Sequence, residues 1–303
     1  MTDRRTVEEV DNRSEIRDFL ASRRARITPE QAGLLPGGGR RRVPGLRREE
    51  VAVLAGVSTE WYTRLEKGHI AGVSEDVLEA VARALQLDEA ERTYLFDLAR
   101  AAIKPVRTPR RRSRAHIQPR VQWMLDSMTA AAAFVANGRL DIVAANSLGR
   151  ALHSPLFDVP ERQANFARFQ FLDPRAREFY PDWEGAANVT VALLRAEAGR
   201  YPNDMQLREL VGELSTVSEE FRTRWAAHNV RIHHNGAKQF RHPVVGALDL
   251  GYYTLGLPTE DHSDLRLTIY TAEPGTPSDD GLKLLASWAA TSAGTTAAAT
   301  TSE

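Results

Sequence analysis

Cysteine is absent from all 303 residues. Without thiolates the chain has no disulfide framework, thiolate zinc finger, iron–sulfur cluster or cysteine nucleophile. That fits reducing, cytoplasmic surroundings. Long apolar runs are missing too: none approaches the ~20 residues that span a bilayer. The N-terminal string MTDRRTVEEVDNRSEIRDF is too charged for a secretory signal. No membrane partner is expected. Lysine is scarce, with only Lys67, Lys104, Lys238 and Lys283 among 40 basic residues. Enzyme signatures are also lacking. There is no G-x-S-x-G, G-x-x-x-x-G-K-[ST], H-E-x-x-H or G-x-G-x-x-G. Gly37-Gly38-Gly39 runs into arginines and has no apolar strand before it, so it is not a phosphate cradle. No enzyme and no cofactor are read from the chain.

What is present is a hydrophobic share of 42%, enough for packed cores, and a charge balance of zero that conceals a split. Residues 1–120 carry 24 Lys+Arg against 18 Asp+Glu, and residues 121–303 carry 16 against 22. A basic front and an acidic back suggest a nucleic-acid-facing domain followed by a separate one. Between them, KPVRTPRRRSRAHIQPR at 104–120 has seven basic residues, three prolines and no acid. It reads as an extended linker. The expected division is residues 1–103, the linker 104–120, a second domain 121–290, and a small-residue tail 291–303 without structure.

In the first domain a helix is expected from Ser14 to Arg26, and LLPGGGRRRVPGLRR is a Gly/Pro-punctuated loop. Helical pattern resumes at Arg48–Gln86, broken at Gly56, Gly68 and Gly72, and again at Asp88–Ala102. The informative segment is RREEVAVLAGVSTEWYTRLEKG, Arg47 to Gly68. Ala52 is small where a second helix approaches, and Gly56 suits a left-handed turn residue. Val57 is the buried turn residue and Ser58 the N-cap of the next helix. Val51, Ala52, Ala55, Val57, Tyr62 and Leu65 make one apolar face. This register is that of a helix-turn-helix.

The second domain mixes periods. A helix is expected at Val121–Met128. Strands are expected at Ala131–Val135 and Leu140–Ala145 around Asn137-Gly138, and a helix at Asn146–Leu152. Helices follow at Ala186–Arg200 and Met205–Ala227. Strands are read at Arg231–His234 and Lys238–His242 around an Asn235-Gly236 turn, then at Ala247–Leu255 and Leu265–Tyr270. A helix at Leu282–Ala290 closes the domain.

AGVSTEWYTRLEKG resembles the Xre-type helix-turn-helix of bacterial and phage regulators, which implies an all-α five-helix domain. The longer string from LLPGGGRRRVPG through VLEAVARALQLDEAERTYLFDLA is similar to regulators that carry a MmyB-like ligand-binding domain. RWAAHNV, GAKQFRHPVVGALDLGYYTL, LTIYTAEPGTPS and LLASWA share that resemblance, which spans about residues 14–290. It implies a C-terminal PAS-like α/β domain, an antiparallel sheet flanked by helices, that senses a hydrophobic molecule such as a fatty acid.

The helix after Ser58 is expected to enter the major groove of double-stranded DNA. Thr59, Glu60 and Thr63 project from its N-terminal end, with Arg64 one turn on. The resemblance makes Thr59, Glu60 and Arg64 base-contact candidates. Glu60 either accepts from a cytosine amino group or complements the helix dipole. Trp61 either packs on the sugar–phosphate backbone or shields the core. Arg47 and Arg48 are candidate phosphate clamps, while Arg40–Arg42 and the block Arg107, Arg110, Arg111, Arg112 and Arg114 either contact phosphates, reach a minor groove or form solvated loops. Glu66 resembles a position that pairs within the domain. A homodimer on a palindromic operator is expected, since one small domain supplies few contacts.

In the second domain Phe134, Trp225, Tyr252, Leu255 and Tyr270 either line an apolar cavity or fill it. Arg224, Arg231 or His228 could meet a carboxylate head. His228, His233, His234 and His242 cluster in sequence, but adjacent strand residues face opposite sides, so no metal site is read there. The rival reading makes this domain a ligand-free dimerisation or partner-docking module.

Overall fold

The computed structural model describes residues 3–34, 45–103, 117–158, 163–227, 235–258 and 265–300. The expected strand Arg231–His234 and both loop arginine groups lie outside them. The described residues fall into two compact units. Unit 1 holds residues 3–34, 45–103, 195–209 and 223–227. Unit 2 holds the rest. The boundary is therefore not the single cut near 120 that the charge split predicts, because two later segments join unit 1.

Unit 1 is built on five helices: α1 Asp3–Arg26, α2 Arg48–Leu54, α3 Thr59–Glu66, α4 Glu75–Ala84 and α5 Glu89–Ile103. Helix α1 begins well before Ser14. Helix α5 opens with a reciprocal cap: the Glu91 amide donates to Asp88 at 2.8 Å and the Asp88 amide to Glu91 at 3.2 Å. Ile16, Phe19, Leu20, Val51, Tyr62, Leu65, Val81 and Leu95 are fully or almost fully buried in its core. The later segments bring a buried charge. Arg195 is fully buried, held by Glu15 and by the Trp225 carbonyl, and its guanidinium carbon lies 4.2 Å from the Trp225 ring centre. Tyr94 donates to the same Glu15 at 2.5 Å. Gly199 packs on Tyr94 so closely that a Cβ there would lie 2.3 Å from the ring.

Unit 2 is organised on one antiparallel sheet of order β2-β1-β5-β4-β3, from β1 Ala132–Ala136, β2 Ile142–Ala145, β3 Asn235–His242, β4 Gly246–Leu257 and β5 Leu265–Thr271. Helix α6, Pro119–Ser127, belongs to an apolar cluster with Val135, Ala144, Leu265 and Leu267 on one face. The other face carries Phe134, Leu248, Leu250 and Tyr270. It packs with α7 Ser147–Leu152, α8 Phe166–Leu172, α9 Ala176–Phe179, the start of α10 Trp183–Arg200, and α13 Pro277–Thr300.

Helices α11 Met205–Val217 and α12 Glu219–Ala226 replace the single helix expected at Met205–Ala227. Buried Ser218 breaks it, because its hydroxyl accepts from the Phe221 amide at 3.2 Å and starts a new helix. Two further expectations are corrected. Asn235 and Gly236 form no turn: they lie inside β3, opposite Tyr253 and Tyr252. The turn comes at Pro243–Val245, where His242 Nδ1 accepts from the Val244 amide at 3.2 Å and Gly246 takes φ +77°. The tail expected to lack structure instead continues α13 to Thr300. The α8 and α9 helices were not legible in the sequence.

Candidate functional sites

The first site is the helix-turn-helix of unit 1. Gly56 sits at φ +67°, where a side chain would be strained, and lets the chain reverse. The Val57 amide donates to Ala52 at 2.9 Å, closing the turn. Ser58 then caps α3 by accepting from the Trp61 amide at 3.1 Å. Tyr62, Leu65 and Glu66 face inward and are buried. Val57 is half-buried rather than buried. The outward residues are the predicted ones: Ser58, Thr59, Glu60 and Arg64 are exposed, and Thr63 and Trp61 are half-buried. Thr63 spends its hydroxyl on the Thr59 carbonyl at 2.7 Å. Trp61 packs against the unit's core. Arg64 has no ion pair among the described residues, which leaves its guanidinium for an external acceptor.

The two candidate clamps differ. Arg47 is exposed: its guanidinium pairs with Glu49 at 3.5 Å, and its backbone amide donates to Glu50 at 2.7 Å. Arg48 donates to Glu66 Oε2 at 3.0 Å. Glu66 is 1% exposed and also takes a fork from Arg24 at 2.7 and 3.2 Å. The carboxylate thus ties α1, the start of α2 and the end of α3 together, and fixes how α3 is presented. Arg48 is half committed to that tie.

The second site lies on the α7–α10 side of the unit 2 sheet. Asn146, 2% exposed, accepts from Ala133 and Gly149 amides and donates to the Met128 and Ala131 carbonyls. It fixes α7 against β1. Gly149 allows the approach, since a Cβ would lie 2.3 Å from the Ala133 oxygen. At the end of α7 this delivers His153, 1% exposed, among aromatic rings. Its ring centre lies 5.2 Å from those of Phe134 and Phe166, 5.7 Å from Tyr270 and 5.8 Å from Phe240. Burial pulls its basicity down to about 3, with Lys238 the next cause. Lys238, two residues before Phe240 on β3, is half-buried, with Nζ 4.2 Å from the Tyr180 ring centre. Burial lowers its pKa to about 8. Tyr252 and Tyr270 face each other across β4 and β5 at 5.8 Å. Burial and the neighbouring Tyr180 and Tyr252 push the Tyr270 phenol up.

Of the residues read as ligand contacts, the structure brings Phe134, Tyr252 and Tyr270 together here. Trp225 belongs to unit 1, stacked on Arg195, and is corrected out of the cluster. Leu255 is 51% exposed and lies three residues beyond Tyr252, on the opposite face of the sheet. His228 and Arg231 lie outside the described residues. His242 is used structurally, with Nε2 3.0 Å from the Ala151 carbonyl. His153, Lys238 and Tyr180 were missed. A lysine alternating with Phe240 and His242 on one strand face was the available signal.

Comparison with known families finds a match in each half of the chain. The model of the MmyB-like transcription regulator ligand binding domain matches residues 117–285, more than half of the chain. The chain belongs to this family. A helix-turn-helix domain model matches residues 15–95. The two together make the protein a transcriptional regulator with a DNA-binding and a ligand-binding domain. No curated protein matches the chain. No helix among the regulator's described residues is long and apolar enough to cross a membrane.

Proposed function

We propose that this regulator works in the cytoplasm, binds a palindromic operator as a homodimer, and changes its hold on DNA when unit 2 binds a small hydrophobic molecule of the fatty-acid type. On this reading Thr59, Glu60, Thr63 and Arg64 meet base edges, and Ser58 and Trp61 border the backbone. Arg47 and the free part of Arg48 meet phosphates. The observation that carries the DNA reading is the exposed start of α3, with an exposed Arg64 that has no ion pair among the described residues. The ligand reading rests on the aromatic cluster around His153, where a polar ring occupies a core position. Ligand binding would shift the population between conformers that present α3 differently.

A second reading, in which unit 2 serves as a dimerisation module, is favoured by Tyr253 and Leu255, 63% and 51% exposed on the sheet face opposite the cluster. Native mass spectrometry of freshly purified protein separates the two. A dimer with a few hundred daltons of added mass per chain supports sensing. A dimer that gains no mass after a lipid and metabolite screen favours the module. A monomer with and without operator DNA contradicts the homodimer.

A further inference from the structure

Building on the reading of Arg47 as a phosphate clamp, we propose that Gly45 and Leu46 form a positioning seat on α1 that holds Arg47 in a fixed place relative to α3. Helix α1 ends at Arg26, so the carbonyls of its last turn have no partner within the helix. One of them, the Arg24 carbonyl, accepts from the Leu46 amide at 3.1 Å. The Leu46 carbonyl in turn accepts from Arg24 Nη1 at 2.8 Å. Both backbone polar groups of Leu46 are thus met by one residue of α1, and its side chain is fully buried in the unit 1 core. Gly45 makes this approach possible. It is buried, and a Cβ built on it would lie 2.6 Å from the Ala25 Cα, the Ala25 oxygen and the Arg24 oxygen. All three are backbone atoms of a packed helix, which cannot turn aside as the end of a side chain can. Gly45 does not take a positive φ, so a side chain there would bring crowding without backbone strain.

Two links carry the seat to the DNA-facing side. Arg47 follows Leu46 directly. Its amide donates to Glu50 at 2.7 Å and its carbonyl accepts from the Val51 amide at 3.1 Å, so its backbone is held on both sides while its guanidinium stays exposed. The second link is Arg24. The guanidinium that meets Leu46 through Nη1 uses its other two nitrogens on Glu66, at the end of α3. One side chain therefore spans the entry to α2 and the end of α3, and the spacing between Arg47 and the exposed residues of α3 is set through it. A phosphate contact fixes the register of a protein on the duplex only if it stands at a constant distance from the base-reading residues. Gly45 is buried and touches no DNA on this reading, so its effect on binding runs through Arg47.

The test is fluorescence anisotropy of the full-length protein on a labelled random-sequence duplex of about 30 base pairs, at several salt concentrations. One phosphate contact contributes about 0.9 to the salt slope, which is about eightfold in affinity at ~0.1 M salt. Arg47→Ala should lose that much. Gly45→Ala should lose about threefold to eightfold and make the slope shallower, because the crowded seat carries Arg47 off its phosphate. Added to Arg47→Ala, Gly45→Ala should cost less than about twofold more. A seat that only held the fold together would lower the active fraction and leave the slope alone. An unchanged slope in Gly45→Ala, or full addition of the two losses, therefore overturns the seat and leaves the clamp. An unchanged slope in Arg47→Ala overturns the clamp, and the seat with it. Should Gly45→Ala not fold, Leu46→Val takes its place, since it loosens the same segment without crowding it. A shallower slope that does not add to that of Arg47→Ala supports the seat, and an unchanged slope or full addition overturns it.

Discussion

Removing the carboxylate of Glu66 should destabilise unit 1 more than any exposed charge in it. The side chain is almost wholly buried and accepts four contacts, at 2.7 and 3.2 Å from Arg24 and at 3.0 and 3.5 Å from Arg48. The two arginines do not weigh equally. The Arg24 side chain is 16% exposed and that of Arg48 is 51% exposed. Loss of a buried partner typically costs ~3–5 kcal/mol, while an exposed pair is worth ~0–1 kcal/mol. Glu66→Ala should therefore cost about 3–4 kcal/mol, nearly all of it through Arg24. Arg48→Ala should cost less than about 1 kcal/mol. Urea unfolding of the full chain measures the loss, and hydrogen exchange over α2 and α3 localises it. In a double-mutant cycle, Glu66→Ala with Arg24→Ala should be strongly non-additive. An additive pair, or a loss under about 1 kcal/mol for Glu66→Ala, refutes the claim that this buried fork holds α3 in place.

Arg64→Ala should weaken specific operator binding by ~1–3 kcal/mol. Arg47→Ala should weaken all sequences alike and lower the salt slope by about one, so anisotropy titrations at several salt concentrations separate the two roles. Gly199→Ala should cost about 1–3 kcal/mol through overpacking on the buried Tyr94 ring, and a neutral melting temperature would contradict that contact. His153 gives a pH prediction. Unfolded, its imidazole takes a proton below 6.5; folded, it stays neutral down to about 3. Its contribution is complete above 6.5 and falls as pH drops toward 3, by up to ~1.4 kcal/mol per unit. Urea titrations across pH should show that slope flattened in His153→Leu, and an unaltered slope would count against a buried neutral imidazole.

The helix-turn-helix was legible because its signals are local. Gly56, Ser58 and the spacing of Ala52, Tyr62 and Leu65 act within one or two turns of helix, and each took the place its chemistry dictates. The first β-hairpin was legible for the same reason: Asn137 accepts from its own neighbours, the Arg139 and Asp141 amides, at 2.9 and 3.0 Å. Asn235-Gly236 carries the same dipeptide and failed. There the competing signal was Pro243 with Gly246, eight residues on, and the pairing of β3 with β4 fixes the register around that turn. A dipeptide is a turn only where the chain has no better place to reverse. The gathering of Arg195, Trp225 and Glu15 had no local signal at all, since contacts separated by 180 positions leave no periodicity to read.

That separation is also why the candidate ligand site was only half visible. Phe134, Tyr252 and Tyr270 were found because aromatic residues at strand spacing imply an inward face. Trp225 and Leu255 passed the same test and failed in space. Trp225 serves a buried arginine, and Leu255 sits at odd spacing from Tyr252, which turns it outward. Composition favours neither outcome, so aromatic content alone cannot locate a pocket. The groups that distinguish this cluster from ordinary core are polar. His153 ends a short helix and Lys238 begins an inward row on an edge strand. Each is unremarkable in sequence, and each is costly where it stands. A half-buried cation with no carboxylate paired to it among the described residues, and a buried imidazole nitrogen with no donor among them, run against the packing interest of the fold. That cost marks the cluster off from ordinary packing, and Lys238→Met removes the lysine's part of it. If the domain only packs, that substitution should raise the melting temperature. If the domain holds a ligand there, the gain in stability should come with loss of the added mass that the freshly purified protein retains.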